Sequence, residues 1–184
     1  MAAEKTDLSI SPQEANTKAL PIVLFLFAAM FPLYWLFWGK PGGGGFFEFQ
    51  SLIPAFLGGI CLHEFLHGIT WKIAGKTTWE NISFGVHWKY LTPYAHCKVP
   101  VRKDAYVLAL LMPLFLLGIL PYLVSLLTGS AWLLWFGIIF TLAAAGDILV
   151  YRLIRQLPGE TLLEDHPERV GCLILENENT HHGV

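Results

Sequence analysis

The sequence has few charged residues for its length. Only 14% of its 184 residues are Asp, Glu, Lys or Arg, whereas a soluble domain carries about 25%. A deficit of this size means that much of the surface does not meet water. A net charge of −2 provides no basic surface for nucleic acid. Three scattered cysteines define no disulfide framework.

The start of the sequence also lacks the pattern expected of a cleavable signal peptide. Residues 1–18 are polar and lack the basic region that directly precedes an apolar run in such peptides. We therefore expect the first apolar stretch to be retained as part of the folded protein.

Long apolar stretches take the place of charge. Hydrophobic residues make up 54% of the chain, and its mean hydropathy is +0.52. Four stretches each have about the 20 residues that a helix needs to cross the hydrocarbon core of a bilayer. They cover residues 20–38, 49–74, 105–127 and 131–153.

These stretches predict an all-α integral membrane protein with four transmembrane helices. Between the second and third helices, residues 77–101 are polar and partly alternating, which predicts a small β-hairpin region. The predicted organisation is a cytoplasmic N-terminal tail, a four-span membrane domain and a cytoplasmic C-terminal tail, over residues 1–19, 20–156 and 157–184.

The basic residues predict the orientation of the helices. Four crossings put the N-terminus, the loop around residues 75–103 and the C-terminus on one side of the membrane. All but one of the 12 Lys and Arg residues belong to that side, the exception being Lys40. Because basic loops stay in the cytoplasm, both termini are expected to be cytoplasmic.

The second apolar stretch contains an HExxH motif, formed by His63, Glu64 and His67. Histidines at i and i+4 share one helical face, so both imidazoles reach one metal ion. Zinc bound there would lower the pKa of a water molecule, and Glu64 would take its proton. Ionisable residues inside a membrane helix are costly and indicate function. The competing interpretation is a polar cluster that holds helices together.

A catalytic zinc ion needs a third protein ligand. The extended motif HExxHxxGxxH is absent, because Thr70 and Ile73 stand at its Gly and His positions. Asp147 is the only acidic residue in the fourth stretch, and it lies at about the depth of His67, roughly 10 Å inside the same boundary. We predict that Asp147 is the third ligand. The alternative is a salt bridge to Arg152 or a hydrogen bond to a helix end.

His96 and Cys97 form a second pair with metal-binding chemistry, in the polar region after the motif. Two interpretations stay open for this pair. It shapes a substrate entrance or donates to an oxyanion, or it is an incidental pair in a loop.

Taken together, HEFLHG within a span, a following hairpin region, two further spans and Gly146-Asp147 in the last span resemble the site-2-protease-like intramembrane zinc metalloproteases. They resemble more closely a bacterial membrane family, domain of unknown function 3267, the "Putative zincin peptidase" family, over residues 49–175. This resemblance implies zinc ligation by His63, His67 and Asp147, with Glu64 as general base. It also implies cell-membrane location, membrane-anchored substrates and cleavage near the cytoplasmic face.

Three functions are compatible with these features. The leading hypothesis is an intramembrane zinc endopeptidase, whose partners would be a membrane protein or peptide substrate and the lipid bilayer. The alternative is a zinc-binding adaptor or regulator without proteolytic activity. A transport component using the buried His and Asp is disfavoured by the small size and the lack of paired inverted repeats.

Overall fold

The computed structural model describes residues 5–42, 46–88 and 92–175, and most of this chain is helical. In chain order the elements are β1 (Lys5–Ile10), α1 (Pro12–Trp38), α2 (Phe46–Ala74), a 3₁₀ turn (Trp79–Asn81), β2 (Ile82–His87), β3 (Thr92–Cys97), β4 (Val101–Arg102), α3 (Lys103–Pro113), a π-helical segment (Leu114–Ile119), α4 (Leu120–Thr128), α5 (Ala131–Ala143), α6 (Ala145–Ile154), β5 (Leu162–Asp165) and β6 (Val170–Leu175).

Three helices in the described residues are long and apolar enough to cross a membrane, and a bent pair adds a fourth candidate. They are Pro12–Trp38, Gln50–Ala74, Lys103–Thr128 and the pair α5–α6. Only 11% of the most apolar window of the first helix is buried inside the protein. Large side chains such as Phe25 and Leu36 are instead exposed. An apolar surface of this size is unfavourable in water.

The first helix begins eight residues before the start of the predicted apolar stretch. Ser11 caps it, because its side chain accepts a hydrogen bond from the Glu14 N–H at 3.2 Å, and Pro12 occupies the first turn. Both are favoured helix-start residues. The hydropathy pattern marks only the apolar part of this helix, so it misses the polar first turns.

The fourth stretch is two helices rather than one. Between α5 and α6 the axis bends by 42° at Ala144. The residues around the bend are small, and Gly146 has low helix propensity, so little local preference holds the helix straight. As a result Asp147 lies in the first turn of α6, where the helix dipole favours a carboxylate.

Two antiparallel sheets accompany the helices in the described part of the chain. The predicted hairpin between α2 and α3 is present as β2 paired with β3, from Ile82 opposite Cys97 to His87 opposite Thr92. The second sheet has four strands in the order β1-β6-β5-β4, so the predicted all-α class is too narrow. The alternation of polar and apolar residues did not predict this sheet. Strands β1 and β6 lie at opposite ends of the chain, and they are strands only because they pair in the folded protein.

The four-stranded sheet gathers helix ends at one end of the bundle. Strand β1 directly precedes α1, β4 directly precedes α3, and β5 follows α6. Trp71, near the end of α2, is buried in one core with Val101, Leu163 and Cys172 of this region. The starts of α1 and α3 and the ends of α2 and α6 therefore lie together.

Candidate metal centre

Helix α2 places the two motif histidines one turn apart. The ring centroids of His63 and His67 are 4.8 Å apart and the rings are nearly perpendicular. Both residues are buried, at 8% and 5% exposure. A pair of imidazoles away from water needs polar partners, because an unsatisfied buried polar group is costly.

Helix α6 brings Asp147 to this pair. Asp147 Oδ2 lies 3.3 Å from His63 Nε2, and Oδ1 lies 3.6 Å from His67 Nε2. One ligand atom from each residue lies within 4.8 Å of the others. The three residues predicted as ligands are thus brought together, and Asp147 faces the two histidines rather than Arg152.

The orientation of His67 indicates which atom is available to a metal ion. Its Nδ1 lies 2.9 Å from the backbone carbonyl oxygen of Ala109. A carbonyl only accepts, so Nδ1 carries the hydrogen and Nε2 of the neutral ring presents a lone pair towards Asp147. Two acceptors facing each other repel unless a proton or a cation lies between them. This donor set fits a metal ion, and a hydrogen bond of this kind normally orients a metal-bound histidine.

Pro113 explains why the Ala109 carbonyl is available to His67. In an α-helix this carbonyl would accept the N–H of residue 113, which a proline lacks. The next N–H, that of Leu114, bonds to Leu111 O. Ala109 itself is fully buried, and its small side chain lets α3 approach α2 closely. The proline therefore leaves one carbonyl of α3 directed at the metal centre.

We expect Pro113→Ala to weaken zinc binding by about tenfold, because the restored N–H would compete with His67 for the Ala109 carbonyl. Competition with a chelating dye would measure the affinity. Pro121→Ala is the matched control, since it adds an N–H to the same long helix two turns away. Equal affinity for Pro113→Ala and the wild-type protein would contradict this account of His67.

Glu64 lies beside the three-residue cluster and is held from another element. Its carboxylate accepts a hydrogen bond from the Ala95 N–H of β3 and interacts electrostatically with both histidines and Asp147. Because α2 supplies the carboxylate and β3 fixes it, the predicted general base has a defined position next to the cluster.

His96 and Cys97 do not join the cluster. Cys97 is fully buried, and its thiol donates to the Val99 carbonyl at 3.4 Å. Burial raises the pKa of the Cys97 thiol to about 11, so the thiolate that binds metals is scarce at neutral pH. His96 points its Nδ1 towards Asp165 Oδ2, 3.9 Å away. The structure places both residues in strand β3 rather than in a loop, and outside the metal cluster.

Sequence reasoning missed two contributors to the site, which are the Ala109 carbonyl and the Ala95 N–H. Both are main-chain groups, which no residue type marks. The only signal was Pro113, because a proline inside a helix always frees the carbonyl four residues earlier.

Residues 56–162 match the model of a protein family described as "Putative zincin peptidase". The matched segment contains the HExxH motif and Asp147. No curated protein and no solved structure matches the chain.

Proposed function

The chain belongs to this zincin peptidase family, and from that premise we propose that it is an intramembrane zinc endopeptidase. It would hydrolyse peptide bonds of membrane-anchored substrates near the cytoplasmic face. The family match and the His63, His67 and Asp147 cluster indicate a metallopeptidase, and the apolar helices around the cluster support the membrane setting.

The observation that carries the proposal is the buried cluster of two imidazoles and one carboxylate between α2 and α6. His63 and His67 would hold zinc through Nε2 and Asp147 through a carboxylate oxygen, a set with the three protein donors of a catalytic site. Zinc bound there supplies Lewis-acid activation of water and of the substrate carbonyl.

Glu64 would perform the proton transfers. Its carboxylate oxygen would take a proton from the attacking water and return it to the leaving amine. The Ala95 N–H holds this carboxylate beside the cluster, so the base needs little rearrangement before it acts. Strand β3 would thus belong to the catalytic apparatus and not only to its surroundings.

Charge and hydropathy support a membrane location with both termini in the cytoplasm. The helix ends gathered by the four-stranded sheet carry basic residues on the adjoining segments, whereas Lys40 lies at the opposite end. Such asymmetry is typical of a cytoplasmic face. An extended substrate segment would pair with the β2–β3 hairpin, because a helical peptide must unwind before its amides become accessible.

Reversible loss of metal tests this function. The protein would be reconstituted in liposomes with a library of synthetic single-span peptides, and products would be identified by mass spectrometry. Each peptide would carry basic residues at one end of its span, and we expect cleavage near that end. Cleavage should stop when a chelator removes the metal and should return when zinc is added. Stoichiometric zinc without cleavage of any peptide would instead favour the adaptor or regulator.

A further inference from the structure

Asp165 is a buried carboxylate outside the chemistry described so far. It ends strand β5 opposite Cys172 of β6 and lies beyond the segment that matches the family. Only 13% of its side chain is exposed. A carboxylate this buried is costly unless polar partners surround it, so its partners indicate why it is there.

Three partners from two other parts of the fold surround Asp165. Oδ2 accepts the Cys97 N–H of β3 at 2.8 Å, and Oδ1 accepts the hydroxyl of Tyr106 in α3. His96 approaches Oδ2 to 3.9 Å. Burial raises the pKa of Asp165 above its usual range, which favours the uncharged acid compared with an exposed aspartate. Asp165 therefore joins the terminal sheet to β3 and to α3.

The bond to Cys97 lies on the same strand edge as the bond to Glu64. In an antiparallel strand, the N–H groups of alternate residues point to the same edge. Ala95 and Cys97 are two residues apart, and Lys98 bonds the other way, to Asn81 O at 2.8 Å. Within the described residues β3 pairs with β2 alone. On its other edge, the Ala95 and Cys97 N–H groups bond to the carboxylates of Glu64 and Asp165 instead of to a third strand.

We propose that Asp165 is a positioning residue for Glu64, acting through β3. By holding the Cys97 N–H, it fixes the strand whose Ala95 N–H keeps the Glu64 carboxylate beside His63 and His67. This role rests on the proposed function of Glu64 as the base. It also gives the four-stranded sheet a part in catalysis.

Asp165→Ala and Asp165→Asn form the test pair. The alanine removes both hydrogen bonds, whereas the asparagine oxygen still accepts the Cys97 N–H and its amide still bonds to Tyr106. For the library peptide that the wild-type protein cleaves fastest, we expect Asp165→Ala to lower kcat by about tenfold or more through misplacement of the base. KM and zinc content should stay close to wild-type values, and Asp165→Asn should restore most of kcat.

Hydrogen exchange provides a measurement that does not depend on activity. We expect faster exchange of the amides of residues 94–98 in Asp165→Ala, but not in Asp165→Asn or in Tyr106→Phe, which keeps the bond to Cys97. Unchanged exchange and unchanged kcat in Asp165→Ala would overturn the positioning role. If even the wild-type protein cleaves nothing, the peptidase proposal fails, and exchange at Ala95 still decides whether Asp165 holds the strand.

Discussion

Purified Asp147→Ala protein is expected to contain less than about a tenth of the zinc of the wild-type protein, which should bind about one ion per chain. The substitution removes the only anionic donor and leaves two neutral imidazoles, too few for a stable catalytic site. Metal analysis by mass spectrometry after gel filtration would measure the ratio. His67→Ala should behave in the same way, because it removes another of the three donors.

Two controls make this result specific. Glu160→Ala removes an exposed carboxylate from the loop after α6 and should leave the zinc content unchanged. Thermal unfolding of the metal-free proteins should show that Asp147→Ala is folded. Full zinc content in a folded Asp147→Ala protein would show that the third ligand lies elsewhere.

Glu64→Gln is expected to keep its zinc and to lose cleavage by a factor of about 10² to 10⁴, the range that general base catalysis contributes. Glutamine has nearly the same shape and still accepts the Ala95 N–H, but its amide takes no proton from water. Initial rates on a cleaved library peptide, divided by zinc content, would give the factor.

Glu80→Gln is the matched control for this variant, since Glu80 is exposed in the turn before β2. Its rate should equal that of the wild-type protein. A fully active Glu64→Gln protein would exclude Glu64 as the base. If Glu64→Gln has no effect on the protein's cellular role while His63→Ala abolishes it, zinc has a structural or regulatory part in that role.

The metal cluster was largely predictable because two features of the sequence indicate it. One is the spacing of the two histidines, and the other is the position of Asp147 along its apolar stretch. The spacing of His63 and His67 fixes a shared helical face whatever the rest of the fold does. Asp147 was identified as the only acid of an apolar stretch, at a depth that matches His67. The same reasoning could not give the contact atoms, because the bend at Ala144 and the free Ala109 carbonyl depend on tertiary packing.

The terminal sheet and Asp165 were beyond prediction for a different reason. The last strand contains an apolar run, residues 172–175, but its residues do not indicate which strand it pairs with. Its register with β1, from Lys5 opposite Leu175 to Ile10 opposite Val170, joins segments at opposite ends of the chain. Nothing in the sequence singles out Asp165, which lies in a polar segment, and only the fold shows it buried against Cys97 and Tyr106.

The pairing of β1 with β6 also sets an order of events during synthesis. Strand β1 is made before every helix of the described chain, and β6 is made after all of them, so β1 cannot pair with β6 until the whole bundle has been made. The contacts of Asp165 also form late, because β5 is made after every helix of the described chain. Under the proposed positioning role, the Glu64 carboxylate would reach its fixed position only after that. A translation product that stops before residue 170 would carry all the metal ligands but an exposed strand edge, which is a feature that quality-control proteases and chaperones encounter in incomplete proteins.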